Sequence, residues 1–425
     1  MIRTKLIKIA KRINPCGGIY FVIDRVKKIG LSKLIDRSFP VRAKQSKYKY
    51  SDIILGWCFS MMCGAQRLED TKQLKNNFIE DIPETKIPSP DRIAWIFKKI
   101  SIPSHTVLGE KGSVNELNIN YPLNHLLLKC AEKMNFISSG VDYTLDYDTT
   151  LIATKKFDSK TTYEHFKGYN PGVAFIGKTP VYIEGRNGNT SPSFQLQESV
   201  MNALDLLKEK GISIKRFRCD GAGYQFDLMK ELCERNIEFF IRARNSHFLL
   251  DEITPLTLWT DVELNGYRYQ VATIRTRLYK GGPIFRAIVS RNIDIPSDKL
   301  KDYVEEEFNC RILITNNTSM TAEEVFRFYN QRGSIENNFA NLKNDFNWKR
   351  LPFSFLHENT VFMILSAIAY MIYQYILKTF SQKINFVNQK MELKNFIFHF
   401  ISVALEWVKE GPIIYTDKSY EKLLE

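Results

Sequence analysis

Between residues 136 and 250 the hydrophobic pattern alternates between a period of two and a period near 3.6. VDYTLDYD places Val141, Tyr143, Leu145 and Tyr147 on one side and Asp142, Thr144, Asp146 and Asp148 on the other, which predicts a strand. Strand-like runs follow at 172–176 and 180–184. Residues 197–210 read as an amphipathic helix through Val200, Leu204, Leu206 and Leu207. Residues 214–220 read as a strand ending in Asp220, GAGY as a turn, 226–235 as a helix and 238–244 as a strand. Three strands, then helix, strand, helix and strand predict an α/β fold, a mixed sheet with flanking helices.

On either side the pattern changes. Residues 1–135 read as a mostly helical region in short pieces, broken at Pro15, Pro40, Pro83, Pro88 and Pro90. Ser89-Pro90-Asp91 is a helix start, with Trp95 and Phe97 marking its apolar side. Short helices with basic faces fit a DNA reader of the helix-turn-helix type. Residues 251–309 read as a β-rich insertion of hairpins, and the main pattern resumes at CRILITNN. Thr321 and Glu324 form a capping box for a following helix. The apolar run 361–380 carries Ser366, Gln374 and tyrosines, which predicts a buried core helix and no membrane span. The expected segments are therefore 1–135, a core split into 136–250 and 310–380 around the insertion 251–309, and a helical C-terminal region, 381–425.

Charge sharpens this picture by its placement. Residues 1–50 hold 14 Lys and Arg against Asp24 and Asp36, which is +12 of the net +13 for all 425 residues. So concentrated a basic segment is the footprint of a polyanion, with nucleic acid ahead of an acidic membrane. Apolar residues run through it, as in GIYFVIDRVKKIGLSKLID, which argues against a mere solubilising tail. Seven scattered cysteines without a CxxC predict free thiols in a reducing cytosol, and six scattered histidines suggest no zinc site. The N-terminal apolar stretch is too short and interrupted for a secretory signal.

The candidate chemistry sits in YNQRGSIENNFANLK. On a continuous helix Tyr329, Arg332, Glu336 and Lys343 fall within roughly 60° of one another. A phenol, a guanidinium, a carboxylate and an ammonium on one stripe suit a site that must hold a metal ion and a phosphate together. Acids also end the first predicted strand, at Asp146 or Asp148, and the fourth, at Asp220. Carboxylates are the ligand type for Mg²⁺ or Mn²⁺. The chain contains no GxxxxGK[ST], which disfavours nucleotide hydrolysis.

With strand Asp, strand Asp, a β insertion and a helix Glu inside Y-x2-R-x3-E-x6-K, the chain resembles bacterial insertion-sequence DDE transposases of the Tyr-Arg-Glu-Lys signature group. The resemblance covers about residues 136–380 and implies a ribonuclease-H-like core, two Mg²⁺ or Mn²⁺ ions, and DNA cleavage followed by strand transfer. It implies that Asp148, Asp220 and Glu336 are the catalytic metal ligands, with DTT favouring Asp148 over Asp146 as the first acid. Tyr329, Arg332 and Lys343 are then the DNA phosphate contacts. Trp259, in the insertion, is a candidate for stacking on a flipped base, and Arg242 and Arg244 for lining the DNA channel. The implied partners are double-stranded DNA, as transposon terminal repeats and target, and a second copy of the chain in the DNA complex. The implied location is the bacterial cytoplasm, at the nucleoid. A ribonuclease-H-like endonuclease without strand transfer, or a domesticated DNA-binding protein, are the alternative expectations.

Overall fold

The alternation at 142–149 becomes a strand of eight residues, and the sheet grows outward from it. In this computed structural model the described residues are 13–76, 79–109, 112–244, 256–277, 282–294, 310–408, 411–416 and 420–423. The strands in chain order are β1 (Ile13–Asn14), β2 (His105–Leu108), β3 (Val114–Asn118), β4 (Asp142–Thr149), β5 (Ile152–Ala153), β6 (Lys160–Thr161) and β7 (Lys167–Tyr169). They continue with β8 (Gly172–Ile176), β9 (Thr179–Arg186), β10 (Ser213–Cys219), β11 (Glu238–Arg242), β12 (Thr260–Leu264) and β13 (Tyr267–Arg277). The last are β14 (Ile284–Asn292), β15 (Cys310–Thr315), β16 (Ala404–Val408) and β17 (Gly411–Tyr415).

One mixed sheet of 11 strands runs β12-β13-β14-β15-β11-β10-β4-β8-β9-β3-β2. At its centre β4 and β11 both lie parallel to β10, whereas β8 is antiparallel to β4. The residues of the expected insertion extend this sheet through β12, β13 and β14, which joins β15. Helices cover both faces, so all of β8 and β9 is buried and neither strand keeps a solvent-facing side. The helix Leu356–Phe380 is apolar and long enough to cross a membrane, but 89% of its most apolar window is buried inside the protein.

Two regions depart from the expected helical character. β2 and β3 lie within 1–135, and β3 pairs with β9 through Leu117 opposite Arg186 and Asn118 opposite Gly185. The free edge of β9 supplies a partner that no local pattern announces. In the C-terminal region β16 and β17 form a hairpin, and Ile13 and Asn14 of β1 pair with Glu406 and Leu405. This long-range pairing ties the two ends of the described chain together. Among the described residues of the basic segment, helices Ile19–Lys28 and Leu31–Arg37 are part of the core, burying Ile19, Val22, Val26, Leu31 and Ile35. Lys33, Arg37, Lys44, Lys47 and Lys49 stay exposed, while Arg3, Lys5, Lys8, Lys11 and Arg12 lie outside the described residues.

A buried polar network fixes β4 against β9 on the face opposite the acids. Glu184 accepts hydrogen bonds from Tyr147 (2.9 Å), Tyr182 (2.9 Å), Ser199 (2.6 Å) and Arg186 (2.8 Å). Glu184 and Arg186 are both fully buried, so each charge depends on the other for compensation. Glu184→Ala leaves the Arg186 guanidinium enclosed and unpaired. The expected loss is about 3–5 kcal/mol, read as a lower denaturant midpoint at unchanged slope. A loss below about 1 kcal/mol would place the pair among exposed ones and refute this account.

Candidate functional site

Parallel pairing brings the two strand acids to one edge of the sheet. The last registered pair of β4 and β10 is Asp146 with Arg218, and Asp148 and Asp220 follow two residues later on each chain. Side chains two apart share a face, so Asp146 and Asp148 both point toward the helices that follow β15. Their surroundings separate them. Asp146 is buried, and Arg218 donates to both its oxygens, from Nε at 2.6 Å and from Nη2 at 2.7 Å. Arg218 also donates from Nη1 to the Phe328 carbonyl at 2.6 Å and lies over the Phe328 ring. With both oxygens held by one guanidinium, Asp146 has a structural task. Asp148 is partly exposed and lies nearer the strand end, which favours it as the first acid.

The segment carrying the four signature residues is two helices. Ala322–Asn330 and Ser334–Asn344 are joined by a 3₁₀ turn, Gln331–Gly333, so a single unbroken helical stripe is not what forms. Gly333 is a poor helix former and sits where the turn tightens. The capping box at Thr321 and Glu324 is present, with Thr321 accepting from the Glu324 amide at 3.2 Å. Tyr329 and Arg332 turn inward. The Tyr329 hydroxyl donates to the Cys219 carbonyl at 3.1 Å, and Arg332 Nη2 stands 2.9 Å from Asp148 Oδ2. The guanidinium is not used up by that pair, because its buried Nε has no hydrogen-bond acceptor.

Electrostatics tie these groups together. Burial pushes the Asp148 carboxyl up to about 6, the Arg332 charge opposes that shift, and the Asp220 charge adds to it. Burial also raises the Tyr329 phenol. Lys343 is half-buried, and its ammonium is lowered first by burial and then by Lys349, against the pull of Glu164 and Asp148. Arg242 and Arg244 are exposed at and beyond the end of β11. The Arg242 charge reaches Tyr329, and Arg244 donates to the Gly221 carbonyl at 3.0 Å, beside Asp220.

Two expected participants stand apart. Glu336 is exposed in the first turn of Ser334–Asn344, whose Ile335, Asn338, Phe339 and Leu342 face the core. Among the described residues no group of three or more Asp, Glu, His or Cys is arranged to hold a metal ion. Trp259 is partly buried against the main core, covered by the Arg291 guanidinium at 4.2 Å, with Nε1 donating to the Leu256 carbonyl. One face of its ring is covered by that guanidinium. Arg218 escaped notice in the sequence, since its partner lies on another strand 72 residues away.

The donor set tests what could bind here. Asp148 and Asp220 supply hard oxygen ligands at neighbouring strand ends, and their mutual repulsion is relieved by a cation. The buried, unpartnered Nε–H of Arg332 fits an anionic oxygen. The two strand acids therefore fit a divalent ion, with Glu336 outside the pair as the protein stands.

No curated protein matches the sequence. A solved structure described as a cryo-EM structure of piggyBac transposase synaptic complex with hairpin DNA resembles the chain at TM-score 0.39 and 10% identity, over 91% of this chain and 79% of that one. The family described as "Transposase DDE domain group 1" matches residues 8–415, nearly the whole sequence, and the chain belongs to that family of DNA transposases.

Proposed function

We propose that this transposase binds the terminal repeats of its own insertion sequence and cleaves and rejoins DNA there, as a member of the Tyr-Arg-Glu-Lys group with a ribonuclease-H-like core. The observation that carries this reading is Arg332, whose Nη2 is held 2.9 Å from Asp148 while its buried Nε has no acceptor. A guanidinium so placed offers a phosphodiester oxygen two parallel donors beside the strand acids. In this reading Asp148, Asp220 and Glu336 hold two Mg²⁺ or Mn²⁺ ions. Such ions, when bound, activate an attacking hydroxyl and stabilise the leaving oxygen. Tyr329 braces the Arg332 turn against the end of β10, and Lys343, Arg242 and Arg244 bind flanking phosphates. The partners are double-stranded terminal-repeat and target DNA and a second copy of the chain, in the bacterial cytoplasm at the nucleoid.

One observation favours the domesticated DNA-binding alternative: Glu336 is exposed and outside any three-acid group among the described residues. Cleavage of a labelled transposon end with Mg²⁺ or Mn²⁺ separates the readings. Asp148→Asn, Asp220→Asn and Glu336→Gln each keep shape, remove a ligand charge and abolish cleavage while leaving DNA binding intact. Asp146→Asn instead lowers the melting temperature and leaves cleavage by the folded fraction. No cleavage by the wild-type chain on its own repeats would sink the transposition reading. Cleavage lost in Asp146→Asn and retained in Asp148→Asn would reverse the choice of first acid.

Arg332→Lys preserves charge and loses the forked geometry. Misplacing a phosphate by about 1 Å costs on the order of 100-fold in single-turnover rate, with DNA affinity nearly unchanged. A wild-type rate would remove Arg332 from the site.

Because the N-terminal helices are core, the basic surface is tested by substitution. Replacing Lys33, Arg37, Lys44 and Lys47 with Gln flattens the plot of log affinity against log salt, by about 0.9 for each phosphate that is no longer neutralised. An unchanged slope would exclude this face from DNA binding.

A further inference from the structure

Directly after the first acid strand the chain makes a small separate sheet, β5-β7-β6. Its sequence, ATKKFDSKTTYEHFKGY, interleaves Lys155, Lys156, Lys160 and Lys167 with aromatic residues. Two of those aromatics break the rule that large apolar rings are covered. Phe157 is 84% exposed and Tyr163 is 58% exposed.

The base of this hairpin is firmly held, so the exposure is not that of a frayed loop. Asp158 accepts from the Leu356 amide at 2.6 Å, at the start of helix Leu356–Phe380, and from the Tyr169 hydroxyl. Asn187 accepts from the Lys160 amide at 2.9 Å and donates to the Asp158 carbonyl at 2.8 Å. A Cβ on Gly188 would stand 2.4 Å from two backbone oxygens of the hairpin, which leaves room for glycine only. The Phe157 ring meets Phe355 edge-on at 5.5 Å, and Phe355 in turn stacks on His357 at 5.7 Å. At the tip the chain reverses through His165, at φ +64, with Thr162 donating to Phe166. Tyr163 and Glu164 lie in that turn, on the side of the acids. Burial and the neighbouring Glu164 charge raise the Tyr163 phenol, with smaller contributions from the Asp148 and Asp220 charges.

We infer that the hairpin Lys155–Lys167 is a stacking platform for unpaired nucleotides of the DNA strand beside the acids, with the Phe157 and Tyr163 rings against bases and the exposed Lys155 and Lys167 on their phosphates. Exposed rings between lysines on a rigid support are what single-stranded nucleic acid requires, because every base has an apolar face and every link a charge. This assignment rests on the transposase reading.

Binding is measured by fluorescence anisotropy without divalent metal, on the full chain, with a terminal-repeat duplex ending either blunt or in an unpaired stretch of a few nucleotides. The wild type binds the unpaired end more tightly. Phe157→Ala with Tyr163→Ala reduces affinity for the unpaired end by about tenfold or more and leaves the blunt duplex unchanged, while Tyr163→Phe retains the preference. Lys155→Gln with Lys167→Gln lowers the salt slope on the unpaired end. Both ring substitutions are at exposed positions, and an unchanged melting temperature confirms intact folding. Equal affinity of the wild type for both ends, or equal losses on both, would overturn the platform. The assay needs no cleavage, so failure of the transposition reading shows separately, as intact binding without strand cleavage.

Discussion

The candidate site is organised around one guanidinium, that of Arg218. From near the end of the central parallel strand it reaches sideways to both oxygens of Asp146 and outward to the Phe328 carbonyl near the end of a helix. Each of these groups would be costly to bury alone, and together they satisfy one another. The geometric consequence matters more than the energy. Asp148 lies two residues beyond Asp146, Asp220 two beyond Arg218, and Tyr329 one beyond Phe328. A single buried interaction thus sets the relative position of two acids and the turn that brings in Arg332.

Much of this was legible in the chain, where the signal is local. The alternation at 142–149, the strand ending at Asp220 and the capping box at Thr321 each depend on neighbours within a few residues, and each formed where expected. The choice between Asp146 and Asp148 was only half legible. Both share a strand face, and the difference between them is made by Arg218, whose sequence separation hides the pair. Strands β2, β3, β16 and β17 were hidden for the same reason, since a short strand takes its stability from the edge it finds. The interrupted helix is a subtler case. Helical spacing put the four residues on one stripe, but the 3₁₀ turn at Gln331–Gly333 interrupts it, so Tyr329 and Arg332 face inward while Glu336 faces solvent.

The aromatic readings show how burial decides between equals. Trp259 and Tyr163 are both rings in β-rich stretches of the sequence. Trp259 is committed, with its face covered by Arg291 and its nitrogen engaged, whereas Tyr163 stands out on a braced turn. Composition could not separate them, because whether a ring is available depends on what lies against it.

The balance of charge around Asp148 is unfavourable by itself, and in a particular way. Two carboxylates at adjacent strand ends repel, and removal from water makes the repulsion worse. Arg332 answers the first problem by standing 2.9 Å from Asp148 through Nη2, yet its buried Nε remains without an acceptor, which is itself a cost. Neither partner is fully satisfied. A divalent cation would compensate the acids better than a guanidinium can, and a phosphate oxygen would give the arginine Nε the acceptor that the carboxylate does not. The unfavourable interactions within the protein alone are those that a metal-bound phosphodiester would relieve together, so the same residues that are costly to the fold favour the complex.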